Sequence, residues 1–290
     1  MIGKLFKWML MGGAGLVIVI LALAWYIGAW NLLVPNKNHD IEPPALPTDL
    51  EQPAILVFSK TNGFRHKDGI PAGEYALRGV ALKHGWGYFV TENGAVFNDE
   101  DLARFAAVVF NNASGDMLSR QQELALQRWL EAGGGWLGIH AAGDGSHKDW
   151  PWYVENLIGA NFTAHIMGPQ FQRAEVITEN HAHPVNEGID NVWQHEEEWY
   201  SWEESSRAGG MNVLATVNEE SYMPVQKILG SEVDLSMGDH PITWSNCIGA
   251  GRSVYTAVGH RAEAFDVPQV KRLLDNALRW LVGETQGGCP

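Results

Sequence analysis

Four short apolar runs punctuate the chain between residues 54 and 139. Ala54–Phe58, Trp86–Val90, Ala106–Phe110 and Trp136–Ile139 carry no charge and are rich in branched and aromatic residues. Such runs predict strands buried on both faces. Between the first two, PAGEYALRGVALKHG sets apolar positions at helical spacing, with Pro71 suited to a first turn and Gly85 to an end. A short helix starts at Asn98–Leu102. SRQQELALQRWLEAGG predicts the firmest helix, capped by Ser119 and stopped by Gly133. This alternation predicts an α/β fold with a mostly parallel sheet and helices on both faces. Beyond residue 150 the pattern loosens. A helix is expected over Pro151–Ile158, strands over Arg173–Thr178, Val213–Val217, Ile242–Cys247 and Ser253–Val258, and a closing amphipathic helix over Val267–Val282.

The first 36 residues follow another pattern. From Trp8 to Asn36 there is no charged residue, a length that can cross a hydrocarbon core of about 30 Å. This predicts an N-terminal transmembrane helix, a signal anchor. Ala22-Leu23-Ala24 also permits cleavage after Ala24, but Trp25-Tyr26-Ile27 and Leu32-Leu33-Val34 prolong the apolar run and favour retention. Lys4 and Lys7 precede the run, while Lys37, Asp40 and Glu42 follow it. Positive residues stay cytoplasmic, so the large domain is expected outside, periplasmic or extracellular. Residues 37–53, with their prolines and charges, read as an extended tether. The α/β domain is expected over 54–283 and a tail over 284–290.

Charge and composition narrow the partners. A net charge of −14 argues against nucleic acid, whose phosphates demand basic surface, and against a second, electrostatic attachment to anionic lipid. Thirteen tryptophans supply aromatic faces suited to sugar rings as well as to a core. The two cysteines, Cys247 and Cys289, are too few for a cysteine metal site; an oxidising compartment would permit their pairing.

Ligands of parallel sheets bind beyond the carboxyl ends of the strands. Three polar, glycine-bearing loops are expected there: SKTNGFRH after the first strand, NNASGD after the third, and the turn in GGGWLGIHAAGDG, where the strand delivers His140. No G-x-S-x-G elbow, G-x-G-x-x-G fingerprint or H-E-x-x-H pair is present, so no nucleotide cofactor is expected. The candidate chemistry lies in scattered histidines and carboxylates: His66, His140, His165, His240, His260 and Glu196–Glu198. Imidazole and carboxylate serve both acid–base work and divalent ions such as zinc. If Glu196–Glu198 lies on a strand, alternation sends Glu197 opposite to its neighbours.

In order, FSKTNGFRH, VVFNNASGD, GGGWLGIHAAGD, DWPWYVENLIGANFTAH, NHAHPVNEGI, EEEWYSW, HPITW and GRSVYTAVGH resemble the trehalose-utilisation (ThuA-like) family over residues 54–283. The resemblance implies a flavodoxin-like core of the class I glutamine amidotransferase type. The turn that carries a catalytic cysteine in that superfamily here carries His140, which excludes amidotransferase chemistry. The resemblance also implies carbohydrate metabolism, with keto-disaccharides or glucosides as substrates and a sugar oxidoreductase as a possible partner. His140, Glu198 and His260 are expected to be catalytic. His66, Arg65, Asn111, Asp144 and Trp199 are expected to bind substrate, and His165 and His240 to ligate metal. The alternatives are a carbohydrate-binding or scaffold domain without catalysis, or a partner subunit of a sugar dehydrogenase.

Overall fold

A computed structural model describes residues 2–228 and 230–289, with the side chains of residues 2–6, Met9 and Ile228 outside the description. The predicted apolar runs form β1 (Ala54–Phe58), β2 (Gly87–Thr91), β3 (Ala107–Asn111) and β4 (Gly135–Ile139). β1, β3 and β4 are buried along their whole length, as strands covered on both faces must be. β1 pairs in parallel with β2 and β3, β3 with β4, and β4 with β13 (Gly251–Thr256). Beyond β13 the sheet turns antiparallel through β12 (Pro241–Ile248), β9 (Asn212–Val217), β6 (Gln172–Thr178) and β7 (Val192–Glu197), giving nine strands in all. The large sheet fits a flavodoxin-like fold with an antiparallel wing.

Helices α3 (Gly69–His84) and α7 (Pro268–Leu281) touch one another on one face. The helix α5 (Arg120–Glu131) joins β3 to β4, stepping away from β2 where α3 steps toward it. Right-handed crossovers therefore put α5 on the opposite face. Ser119 caps α5 in a capping box with Gln122, and Gly133 follows its end at φ +125°. The sequence pattern missed β5 (Phe162–His165) and β8 (Tyr200–Trp202), which pair outside the main sheet, and the hairpin of β10 (Val225–Ile228) with β11 (Ser231–Asp234).

The tryptophan excess goes into packing. Trp86, Trp136, Trp150, Trp193, Trp199, Trp202, Trp244 and Trp280 are all buried. Trp136 lies beneath Phe110 and Tyr153, edge to face with both. Cys247 and Cys289 form a disulfide that ties the tail to β12, with Cα atoms 5.8 Å apart.

α1 spans Ile2–Tyr26. Among the described residues no helix is long and apolar enough to cross a membrane, and Lys4, half of the expected charge asymmetry, has its side chain outside them. The expected tether is extended but docked. Lys60 donates to the Asn38 carbonyl at 3.0 Å and pairs with Asp40, while His39 meets Asp116 at 2.8 Å. Asp40 also accepts the Gly94 N–H and its carbonyl accepts from Gln122. These contacts satisfy polar groups that a free linker would leave to water.

Candidate functional site

His140 follows β4 directly, with φ +49°. A side-chain-bearing residue in the left-handed region costs of order 1–3 kcal/mol and persists only when its surroundings enforce it. Here Tyr255 donates its hydroxyl to the His140 carbonyl at 2.8 Å, and Gly143 lies against the Tyr255 ring where a Cβ would clash. Asn112, just past β3, is also left-handed and donates to the Gly259 carbonyl. The turn after β13 is thereby held beside β4, and it presents His260. His66 comes from the β1 loop. Glu198 lies one residue past β7.

These four side chains converge. The His140 Nδ1 lies 2.7 Å from the Ala257 carbonyl. A carbonyl only accepts, so Nδ1 carries the proton and the neutral ring leaves Nε2 with its lone pair. That Nε2 lies 3.0 Å from His260 Nδ1 and 3.5 Å from Glu198 Oε2. His260 Nδ1 is in turn 3.1 Å from Glu198 Oε2. The other carboxylate oxygen, Oε1, faces His165 Nδ1 at 3.1 Å and accepts from the Gln170 amide. The His66 ring stands nearly perpendicular to those of His140 and His260, with centroids 4.8 and 4.5 Å away, and its Nδ1 is buried without a partner. His140 and Glu198 are almost wholly buried, whereas the side chains of His260 and His165 keep 14% and 23% of their surface. The latter two are therefore the members of this group open to solvent.

Burial favours neutral forms, yet the cluster is charged where partners exist. Burial lifts the Glu198 carboxyl, but hydrogen bonds and charge from His140 and His260 outweigh it and hold it far below the carboxylate range. Burial pulls the His140 imidazole down, but Glu198, Glu197 and the Ala257 carbonyl leave it above the ordinary histidine value. His66 is pushed well below that value by burial, then by His140 and His260.

Residues 54–281 match the family described as trehalose utilisation, ThuA. The chain belongs to the ThuA family. A ThuA-like protein from Bacteroides uniformis has a similar structure at TM-score 0.69 and 24% identity, covering 84% of this chain and 97% of its own. Another from Parabacteroides merdae gives 0.59 and 15%, covering 81% and 91%. No curated protein matches the sequence.

The ThuA fold brings His66, His140, His165, Glu198 and His260 together and leaves the other expected site residues elsewhere. His240 does not join the cluster: one ring nitrogen is 2.8 Å from Glu219 and the other 2.8 Å from the Tyr200 carbonyl, so it has no free lone pair for an ion. Arg65 is turned to Glu92 in an ion pair. Asn111 is buried and donates to the Ile70 carbonyl, pinning α3. Asp144 caps the following turn through the Ser146 N–H. Trp199 donates to the Gln172 carbonyl within the core. Arg65, Asp144 and Trp199 are thus taken up by local partners, whereas Asn111 donates its amide but leaves its buried Oδ1 unpaired.

Sequence reasoning carried Glu197 only as one of the Glu196–Glu198 run, without a role, and passed over Gln170. Glu197 is buried; one oxygen accepts the Glu198 N–H at 2.9 Å and the other the Gly259 N–H at 2.8 Å. One carboxylate thus fixes the backbone beside both Glu198 and His260. Strict alternation along β7, with Glu196 exposed and His195 and Glu197 inside, was the available signal. Glu198 departs from the expected alternation because the strand has ended before it.

Three depressed histidines set an acid limit on stability. Burial, with Arg252 nearby, lowers His183 from 6.5 to about 4, and burial lowers His66 and His147 too. Below pH 6.5 the unfolded chain takes up these protons before the folded one does, so stability falls as pH drops from about 6.5 toward 4. His140, raised, acts oppositely: its contribution is complete below pH 6.5 and is lost above it. Urea unfolding at pH 7, 5.5 and 4.5 should show a declining midpoint. A His183→Gln variant should flatten part of that decline, and a parallel decline in both proteins counts against the assignment.

Proposed function

We propose that this ThuA domain is an enzyme of carbohydrate metabolism that processes a keto-sugar or glucoside by acid–base chemistry at the His165–Glu198–His260 line. The observation that carries this reading is one buried carboxylate flanked by imidazoles, two of which reach solvent. A carbonyl beside a glycosidic carbon acidifies the intervening C–H. A neutral imidazole takes that proton, the C–O bond breaks, and a protonated imidazole supplies the proton to the leaving oxygen. Addition of water to the resulting enone completes a net hydrolysis. The charge on Glu198 favours the imidazolium formed in the first step. Its low proton affinity suits it to that role better than to acting as the base.

We also propose that α1 anchors the domain and that the domain faces outward. Support comes from the exposed apolar side chains of Leu16, Val17, Ile18, Val19, Ile20 and Leu23, and from the disulfide, which suits an oxidising compartment. The test uses the full chain recovered from the membrane fraction, incubated with 3-keto-glucosides and 3-keto-trehalose. Release of the free keto-sugar is the expected result. Binding without any product would favour a carbohydrate-binding role, and recovery in the soluble fraction would remove the anchor.

A further inference from the structure

We propose that His66, His140, His260 and Glu198 bind one divalent transition-metal ion of the zinc class. This shifts the metal-ligating role from His165 and His240 to the buried part of the cluster. One donor atom from each of the four residues lies within 4.8 Å of all the others. Three of the spacings are 3.0, 3.1 and 3.5 Å. Zinc bonds of about 2.0–2.1 Å in tetrahedral geometry place ligand atoms roughly 3.4 Å apart, so this face of the cluster is already close to the required size.

The protonation pattern also fits. His140 donates its Nδ1–H to the Ala257 carbonyl, so in the neutral ring the lone pair sits on the inward-facing Nε2, the arrangement in which a backbone carbonyl orients a metal-binding imidazole. The buried Nδ1 of His66 has no partner, whereas the structural histidines His240 and His183 use both ring nitrogens. Glu198 spends Oε1 on His165 and Gln170 and keeps Oε2 toward the cluster. Glu197 anchors the backbone next to two of the four ligands, as outer groups of metal sites do. Three imidazoles and one carboxylate, with no thiolate, select a borderline ion over a soft one.

The chemical use of the ion rests on the sugar reading above: it would polarise the keto oxygen, and with Glu198 and His260 engaged as ligands, His165, outside the ligand set, would carry the proton in place of His260.

The full chain, stripped of metal, is titrated with Zn²⁺ alone and with Co²⁺ alone, and bound ion is measured by elemental analysis and by the visible Co²⁺ spectrum. One ion per chain is expected. His140→Asn, whose side chain also tolerates the left-handed backbone, and Glu198→Gln should each weaken binding by more than the roughly 10–100-fold typical of an outer-shell change. His165→Ala should keep the ion. Circular dichroism reports whether each variant folds, and the wild-type Co²⁺ spectrum decides without any variant. Failure of the wild-type chain to bind either ion overturns the proposal, as does equal binding by folded His140→Asn and Glu198→Gln. A bound ion without sugar turnover would sink the sugar reading alone. Undiminished turnover in the stripped protein would sink the metal role in that reaction.

Discussion

Glu198→Gln should lower turnover of a keto-glucoside by about 100- to 10,000-fold, the range that positioned acid–base groups supply. The amide matches the carboxylate in shape, so the fold is expected to survive. What disappears is the charge that His140, His165 and His260 face at 3.1 to 3.5 Å. Without it an imidazolium in the cluster loses its counter-ion inside a buried site, where an unpaired charge is costly. The fall should appear in kcat more than in KM, because the charge is needed when the proton moves and less when sugar binds. Equal kcat in the two proteins would remove Glu198 from the chemistry.

Trp136→Ala should cost the domain about 3–5 kcal/mol of stability, the usual loss for a large aromatic removed from a core. Trp136, the second residue of β4, is wholly buried, edge to face with Phe110 and Tyr153. Its ring also fills the space that a Cβ on Gly138 would need, 2.2 Å away. The void would open two residues before the strained His140. The midpoint of urea unfolding is the measurement, and a loss below about 1 kcal/mol would mean that the core collapses into the gap more readily than such cores do.

The parallel half was legible because its strands are apolar throughout, and burial on both faces leaves no other pattern. The start and stop of α5 were legible from Ser119 and Gly133. The wing was harder. In β7 only alternate side chains are buried, so the run of three glutamates did not by itself say that both Glu197 and Glu198 are inside. β5 and β8 are four and three residues long, too short to show a period. Motif resemblance singled out His66, His140, His165, Glu198, His240 and His260; no spacing along the chain could reveal that all but His240 meet, since their approach depends on strand order. Asn111, Asp144, Arg65 and Trp199 looked equally suitable as polar or aromatic loop-side residues. Their partners, a carbonyl, a turn N–H, a glutamate and another carbonyl, exist only in three dimensions.

The cluster also has two owners. His66, His140 and His260 hang from the parallel strands, where neighbouring backbones lock them. Glu198 comes from the end of β7, His165 from the end of β5 and Gln170 from the loop after it. The outer residues can therefore change without disturbing the backbone that holds the three inner imidazoles. Divergence among members of this family should concentrate in the segment between residues 162 and 172, with the left-handed turn at His140 as its fixed point.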